Sequence, residues 1–303
     1  MGIKTFLSLI FILFTVLLLV FYWFIPFKTI EFDVTSKNYN FSLNTSVKET
    51  MQFYQNMRYP DSQISYKIYD CPLQKKNDME QAFEIISSMS ILNFYSINSD
   101  EEISVTCESG SRIEEGLFIA GEGGPTNITK GERFSVILHG KVLLIRDSKC
   151  ERPNIAIHEL LHALGFDHSN NPNNIMYPVS KCEQTIGEDI PQLINELYSI
   201  PTYSDLSFEN VSAVMHGRYL DANISIRNNG LKNSEKTEVL IYADEKLVTE
   251  VELDVLEIGY GRIITLKNIR TKEINVDKLE FFINSSFDEL EKNNNRIVLE
   301  IKK

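Results

Sequence analysis

The chain has 303 residues, of which 43% are hydrophobic and 24% are charged, a composition typical of globular proteins that predicts packed cores. Because folded domains usually hold about 100 to 150 residues, this length favours two domains over one. The formal net charge of −12 argues against a nucleic-acid partner, since proteins that bind nucleic acids present a basic face that replaces condensed counterions.

The chain opens with an apolar segment, residues 5–27, that contains no charged side chain. A helix of this length can cross a hydrocarbon core about 30 Å thick. A removed signal peptide, the alternative, has a shorter apolar core followed by small residues, whereas the aromatic triplet YWF stands here at 22–24. We therefore predict an uncleaved transmembrane signal anchor over residues 1–27. The flanking charges favour a cytoplasmic N-terminus and an extracytoplasmic remainder of the chain.

Residues 28–58 are polar and show weak alternation, so we predict a stalk or linker there. Strand and helix patterns then follow as far as residue 200. Alternating apolar residues predict strands at 64–70, 102–107 and 116–125 and one or two strands at 134–147. Helical spacing predicts helices at 75–90, 153–164 and 188–200.

The sequence HELLHALGFDH at 158–168 contains three of the five histidines of the chain. On a helix, His158 and His162 lie one turn apart on the same face, so their imidazoles can converge on one metal ion. Gly165 lets the chain leave the helix through a positive φ, and His168 returns as a third ligand. Three nitrogen ligands and one open position are typical of catalytic zinc, whereas structural zinc is usually enclosed by four protein ligands.

Glu159 lies beside the predicted ion, where a carboxylate can hold and deprotonate a zinc-activated water. The alternative is that these are ordinary half-buried polar residues, since a lone HExxH often arises by coincidence. The added glycine and third histidine reduce that expectation by a factor of roughly a thousand, because both residues are infrequent. We therefore predict a catalytic Glu159 with three histidine ligands to one Zn²⁺ ion.

A methionine turn follows in NIMYP (174–178), where the side chain of Met176 can lie beneath the histidine rings. The pattern HExxHxxGxxH with a downstream methionine resembles the metzincin metalloproteases and, within them, the matrixin branch. Tyr177 is not assigned as a ligand, because the coordinating tyrosine of some relatives stands two residues after the methionine, where this chain has Pro178. Leu161 departs from the glycine usual in matrixins, and no PRCGxPD-type cysteine switch is present.

The resemblance implies a metzincin-like catalytic domain over residues 59–200, with a twisted mixed sheet and an active-site helix. It implies an endopeptidase in which Glu159 is the general base and the substrate pairs with an edge strand. Residues 116–125 and 140–147 are both candidates for that edge. Residues 177–187 are expected to shape the pocket beyond the cleaved bond. The prediction also allows for a structural Ca²⁺ ion.

The four cysteines form an even number without CxxC spacing and are expected to pair outside the cell. Three pairings are open, and we favour Cys71–Cys107 with Cys150–Cys182. The second bridge would tie the methionine turn to the start of the zinc helix, and closing such a loop contributes about 3–4 kcal/mol. The competing interpretation is a free Cys71 that masks the zinc ion.

Short alternating strands separated by Asn-Gly, Asp-Glu and Gly-Tyr-Gly turns fill residues 201–303. Such spacing without helices predicts an antiparallel sandwich of about seven strands. The segment resembles the immunoglobulin-like CARDB family in its NNG turn (228–230), its LxxG stretch (256–259) and its late ELEKNNN (289–295). The predicted fold class is therefore α+β: a metzincin-like domain, then an all-β immunoglobulin-like sandwich, after an N-terminal transmembrane helix.

These patterns predict a zinc endopeptidase that is anchored in the cell membrane and acts outside the cytoplasm on protein or peptide substrates. The alternative is an inactive surface adhesion or scaffold protein whose sandwich domain binds a surface protein or glycan. The intact Glu159 and histidine ligands favour the enzyme, because a degenerate site would have lost one of them.

Overall fold

The computed structural model describes residues 2–24, 29–34, 51–110, 112–114, 117–273 and 276–301. Within them lie the helices α1 (Ile3–Phe24), α2 (Leu73–Met89), α3 (Asn154–Ala163) and α4 (Asp189–Tyr198). The strands of the first half are β1 (Thr29–Val34), β2 (Met57–Arg58), β3 (Gln63–Ile68), β4 (Asn93–Ser96), β5 (Ile103–Cys107), β6 (Arg112–Glu114), β7 (Leu117–Ile119), β8 (Gly121–Lys130) and β9 (Ser135–Leu144). Those of the second half are β10 (Leu206–His216), β11 (Tyr219–Asn228), β12 (Thr237–Ala243), β13 (Lys246–Leu253), β14 (Gly261–Arg270), β15 (Lys278–Ile283) and β16 (Arg296–Ile301).

One mixed sheet organises residues 51–200, in the order β2-β9-β5-β3-β4, with β8 also paired to β9. β5 and β8 both pair with the same five residues of β9, 140–144, so they flank that strand. The pairs are parallel except for β8, which runs antiparallel to β9. Buried side chains of β3, β5 and β9 pack with those of α2, α3 and α4 in one core. The predicted mixed sheet with an active-site helix is therefore confirmed, and β8 is its edge beside the helix.

Two predicted strands differ in detail from the structure. The segment 116–125 divides at Ala120 into β7, which pairs with β6, and the start of β8. The segment 134–147 forms the single strand β9, which continues through Gly140. A Cβ at Gly140 would meet the hydroxyl of Tyr59 and the backbone of Ala163, so the glycine marks a close approach to the end of α3 and not a break between strands.

The C-terminal half is all-β and antiparallel, as predicted, and residues 201–303 supply seven strands, β10 to β16. The complete sheet has eight strands in the order β13-β12-β15-β16-β1-β10-β11-β14. Strand β1 pairs with β10 over its first half and with β16 over its second half. It thus joins two groups of strands that the C-terminal residues form by themselves.

The predicted stalk at 28–58 is wrong for residues 29–34, which form β1. Ile30, Phe32 and Val34 alternate with polar residues, and Phe32 is only 5% exposed in the sandwich core. Alternation over six residues indicates a half-buried strand, but the local pattern does not say which sheet that strand joins. Residues 51–58 also belong to the catalytic domain, whereas residues 35–50 of the predicted stalk lie outside the described residues.

Removing β1 is expected to destabilise the sandwich domain. A chain of residues 36–303 should lose at least about 3 kcal/mol in the free energy of unfolding relative to residues 28–303, because Phe32 leaves the core and two strands lose a partner. Urea denaturation of the two chains, followed by a signal from the sandwich domain, measures this difference in the free energy of unfolding. Phe32→Ala should reproduce part of the loss, and Asp33→Ala, at an exposed position of the same strand, should not. Equal midpoints for the two chains would contradict the role given to β1.

The two domains contact each other at the turn between β8 and β9. Phe134 and Val136 pack with Leu231 in a small buried cluster. Beside it, Arg133 lies 3.3 Å from Asp205, and both side chains are buried. The sandwich therefore holds the end of β8 that lies farthest from Gly121.

Candidate metal centre and catalytic cleft

Helix α3 ends in a tight C-terminal cap that brings the third predicted ligand back to the first two. The amide of Phe166 donates to the carbonyl oxygen of Leu161, and the amide of Gly165 donates to that of His162. This is the Schellman pattern, which requires a left-handed residue after the helix. Gly165 has φ +95°, as predicted, and the chain turns back so that His168 faces the helix.

The three histidines converge on one point. His162 Nε2 lies 3.0 Å from His158 Nε2 and 3.1 Å from His168 Nε2. The Nδ1 atoms of His158 and His162 contact the carbonyl oxygens of Ile175 and Phe166 at 2.6 and 2.8 Å. A carbonyl oxygen only accepts, so each Nδ1 carries the proton and each Nε2 presents a lone pair.

This arrangement fits a divalent cation. The three ligating nitrogen atoms all lie within 4.8 Å of one another, and a zinc ion with Zn–N distances of about 2.0–2.1 Å could bind all of them. Burial is the main cause that lowers the pKa of His158 and, to about 4, that of His162. The two buried rings are therefore neutral near pH 7, which is the form that binds metal. Within the described residues these histidines are the one group of three or more ligating side chains, and a structural Ca²⁺ ion stays a prediction.

Hydrogen bonds connect the methionine turn to the histidine segment. Met176 is fully buried in the catalytic core, and its carbonyl oxygen accepts from the amide of Ser169, next to His168. Ile175 supplies the carbonyl oxygen bound by His158. Tyr177 is half-buried and is not part of the ligand group.

Both favoured disulfides, Cys71–Cys107 and Cys150–Cys182, are present. The second ties the segment after the methionine turn to the approach to α3, as predicted. Because Cys71 is bonded, it does not mask the metal as a free thiol. Leu161, the departure from the matrixin pattern, is fully buried in the core behind α3.

Glu159 is buried next to the histidine cluster and faces the cleft. Its side chain is 6% exposed, and burial, followed by the nearby charge of Glu122, raises its pKa to about 8. A Cβ at Gly121 would lie 2.7 Å from Glu159 Cγ, and a Cβ at Gly123 would collide with the Glu159 backbone carbonyl. These two glycines alternate along β8, so they turn the same bare face towards α3. They let the edge strand approach the carboxylate directly.

Comparison with known families agrees with this geometry. Residues 58–199 match the family model described as matrixin, and residues 204–298 match the model described as CARDB. The chain contains a matrixin domain followed by a CARDB domain. Matrixins are zinc metalloendopeptidases, and the three-histidine site lies within the residues matched by the matrixin model.

The matrixin domain is similar to two curated mammalian proteins. It is 33% identical over 134 residues to macrophage metalloelastase of Oryctolagus cuniculus, a match that covers 38% of this chain and 27% of the relative. It is 30% identical over 128 residues to matrix metalloproteinase-20 of Homo sapiens, covering 38% of this chain and 25% of the relative. The chain thus spans about a quarter of the length of these relatives.

The matrixin domain has one cleft of about 660 Å³ that reaches the metal site. Its walls include Glu159, the three histidines, the start of β8, residues 146–150 and residues 178–180. The last range belongs to the segment 177–187 that was predicted to shape the pocket. Of the two candidates for the edge strand, β8 lines the cleft beside Glu159, whereas β9 is an interior strand with neighbours on both sides.

Two contacts of the matrixin domain were not predicted. The ring of Phe53 stacks on His162 at a centroid distance of 5.7 Å, which limits how that imidazole can turn. Phe53 lies in the region read as stalk, and no local pattern links it to a histidine more than a hundred residues later. Gly121 and Gly123 lie within the predicted strand 116–125, but their close approach to Glu159 was not predicted, although their spacing of two was a signal for a strand with one face left bare.

The chain also has features of secreted proteins. Residues Ile3–Val20 of α1 form an apolar window long enough to cross a membrane, and none of them is buried in the protein. The two disulfides are typical of an oxidising compartment. Together the apolar helix and the disulfides suggest the secretory pathway. Either a cleaved signal peptide or an uncleaved anchor would direct the chain to it.

Proposed function

We propose that this protein is a zinc-dependent endopeptidase that hydrolyses protein or peptide substrates outside the cytoplasm. The observation that supports the proposal is the convergence of three histidine Nε2 atoms, with that of His162 lying 3.0 and 3.1 Å from the other two, next to a buried carboxylate in an open cleft. Such a set leaves a coordination position for chemistry, as catalytic zinc sites do.

Each residue has a separate task. His158, His162 and His168 would hold the ion. When bound, zinc supplies a Lewis acid that polarises the scissile carbonyl and makes water reactive near neutral pH. Glu159 takes the proton of the attacking water and gives it to the leaving amine. Met176 supports the site from below.

The substrate lies along β8 in an extended conformation. Beside the cleft, β8 has β9 on one side and no further strand among the described residues on the other. A free edge of this kind binds a peptide by adding a strand to the sheet. This places the scissile bond near Gly121 and Gly123, where β8 comes closest to Glu159.

We infer that α1 remains as a single-pass anchor with a cytoplasmic N-terminus. Its apolar run extends beyond the usual core of a signal peptide, and β1 starts at Thr29, five residues after α1 ends at Phe24. The sandwich domain would then lie next to the membrane and carry the matrixin domain. We propose a surface protein or a glycan as the binding partner of the sandwich domain.

Metal analysis combined with a cleavage assay tests the proposal. Purified residues 28–303 are expected to contain about one zinc ion per chain and to cleave an unstructured protein. A chelator should abolish cleavage, and added zinc should restore it, because binding of metal and folding of the site are linked. A metal-free protein that does not cleave would instead support the adhesion or scaffold alternative.

A further inference from the structure

The wall of the cleft formed by residues 146–150 is unusually well fixed for a connecting segment. The amide of Arg146 donates to the carbonyl oxygen of Ala120 at 2.9 Å. Lys75, only 4% exposed, donates to the carbonyl oxygen of Ile145. The disulfide at Cys150 holds the other end. Side chains on this wall therefore face the substrate from defined positions.

This wall places two positively charged side chains at the cleft, although the protein as a whole is negatively charged. Arg146 and Lys149 both line the cleft and are exposed. In the part of the chain that the structure describes, neither has a carboxylate partner. The guanidinium of Arg146 instead lies over the ring of Phe118, 4.7 Å from its centroid. This stacking holds the cation at the cleft and leaves its edge open to a ligand.

The carboxylates on the same walls contact other cations or are assigned to catalysis. Glu122 forms an ion pair with Arg112 at 2.9 Å. Asp147 lies 3.8 Å from the ammonium group of Lys75. Glu159 is assigned to catalysis. Among the described residues, the carboxylates that line the cleft thus pair with other cations or serve catalysis, and Arg146 and Lys149 form no ion pair with them.

The direction of β8 tells which part of the substrate meets these cations. Arg146 is tied to Ala120, immediately before β8 begins, and the scissile bond lies beside Gly121 and Gly123. Antiparallel pairing is the commoner and slightly stronger mode for an added strand. An antiparallel substrate runs opposite to β8, so its residues after the scissile bond approach Ala120, Phe118 and Arg146.

We propose that Arg146, held on Phe118 and assisted by Lys149, binds an acidic side chain of the substrate on the C-terminal side of the scissile bond. The inference rests on the proposed endopeptidase function and names its substrate class: extended peptides with aspartate or glutamate after the cleavage point. The ion pair between Arg146 and the acidic side chain of the substrate forms in a partly exposed cleft. It therefore affects which substrates are preferred, whereas cleavage itself does not depend on it.

A matched peptide pair tests this inference on the zinc-loaded full chain in detergent. The peptides are first chosen from a cleaved library and then made with either glutamate or glutamine at each of the three positions after the scissile bond. At one position the wild type should prefer glutamate by about three- to tenfold in kcat/KM. Arg146→Gln should bring this ratio close to one, and Lys149→Gln should lower it partly. Arg152→Gln, a nearby exposed arginine that does not line the cleft, should keep it.

Two further measurements keep the inference separate from the proposed function. Raising the salt concentration should reduce the wild-type preference, because exposed charge pairs are screened; this result needs no variant to fold. Binding of the same peptides to Glu159→Gln reports the charge preference without turnover. Cleavage with no glutamate preference, or a full preference retained by Arg146→Gln, would overturn the inference and leave the endopeptidase intact. An enzyme that cuts no peptide would overturn the proposed function; in that case the binding of glutamate and glutamine versions of one unstructured peptide would decide the charge preference.

Discussion

Replacing Glu159 with glutamine is expected to leave zinc bound while lowering kcat/KM for a cleaved peptide by about 10²–10⁴-fold, the usual contribution of a general base. Glutamine keeps the shape of the buried side chain but accepts no proton at neutral pH. The metal ligands are three separate imidazoles, so the zinc content should stay near that of the wild type. Steady-state kinetics and metal analysis of the same sample measure the two effects.

Glu151→Gln is the matched control for this experiment. Glu151 is exposed, lies a few residues before α3 and does not line the cleft. It should keep wild-type kinetics. If Glu159→Gln retained more than about a tenth of the wild-type kcat/KM, a loss well below the range for a general base, the role given to Glu159 would be wrong.

Gly123→Ala is expected to lower kcat/KM by about a hundredfold, because a displacement of about 1 Å in a catalytic arrangement has that effect. The added Cβ would collide with the backbone carbonyl of Glu159. Backbone atoms of a buried helix cannot move aside as a flexible side chain can, so β8 has to shift away from α3. The substrate edge and the carboxylate would then separate, and the thermal midpoint should also fall.

Gly124→Ala provides the control in the same strand. A Cβ at Gly124 has no heavy atom within 4 Å among the neighbours considered, so this variant should behave like the wild type. The pair holds the chemical change constant and varies only which face of β8 receives the methyl group. Equal kinetics for the two variants would show that the close approach of β8 to Glu159 is not needed for activity.

The metal site was predictable because its geometry is local. His158, Glu159 and His162 lie within one turn and a half of a helix, and Gly165 supplies the left-handed backbone conformation that returns His168 to them after three residues. The structure adds what spacing alone does not contain, namely the tautomers set by Ile175 and Phe166. Those carbonyl oxygens come from the methionine turn and from the helix cap.

Contacts between distant segments were not predictable in the same way. Strand β1 has a readable alternation, but its partners lie far away in sequence: Thr29 pairs with His216 of β10 and Phe32 with Ile301 of β16. Phe53 beside His162 and Arg146 beside Phe118 likewise depend on how the sheet and the loops assemble. Sequence patterns indicate which face of an element is apolar, whereas the choice of partner depends on packing of the whole domain.

X-ray absorption at the zinc edge of the zinc-loaded full chain tests the central claim most directly. We expect three imidazole nitrogens at about 2.0–2.1 Å and a fourth light ligand from solvent, with one imidazole lost in His168→Ala. Sulfur ligands in the first shell, or an unchanged spectrum in His168→Ala, would contradict the three-histidine centre on which the proposed peptide hydrolysis depends.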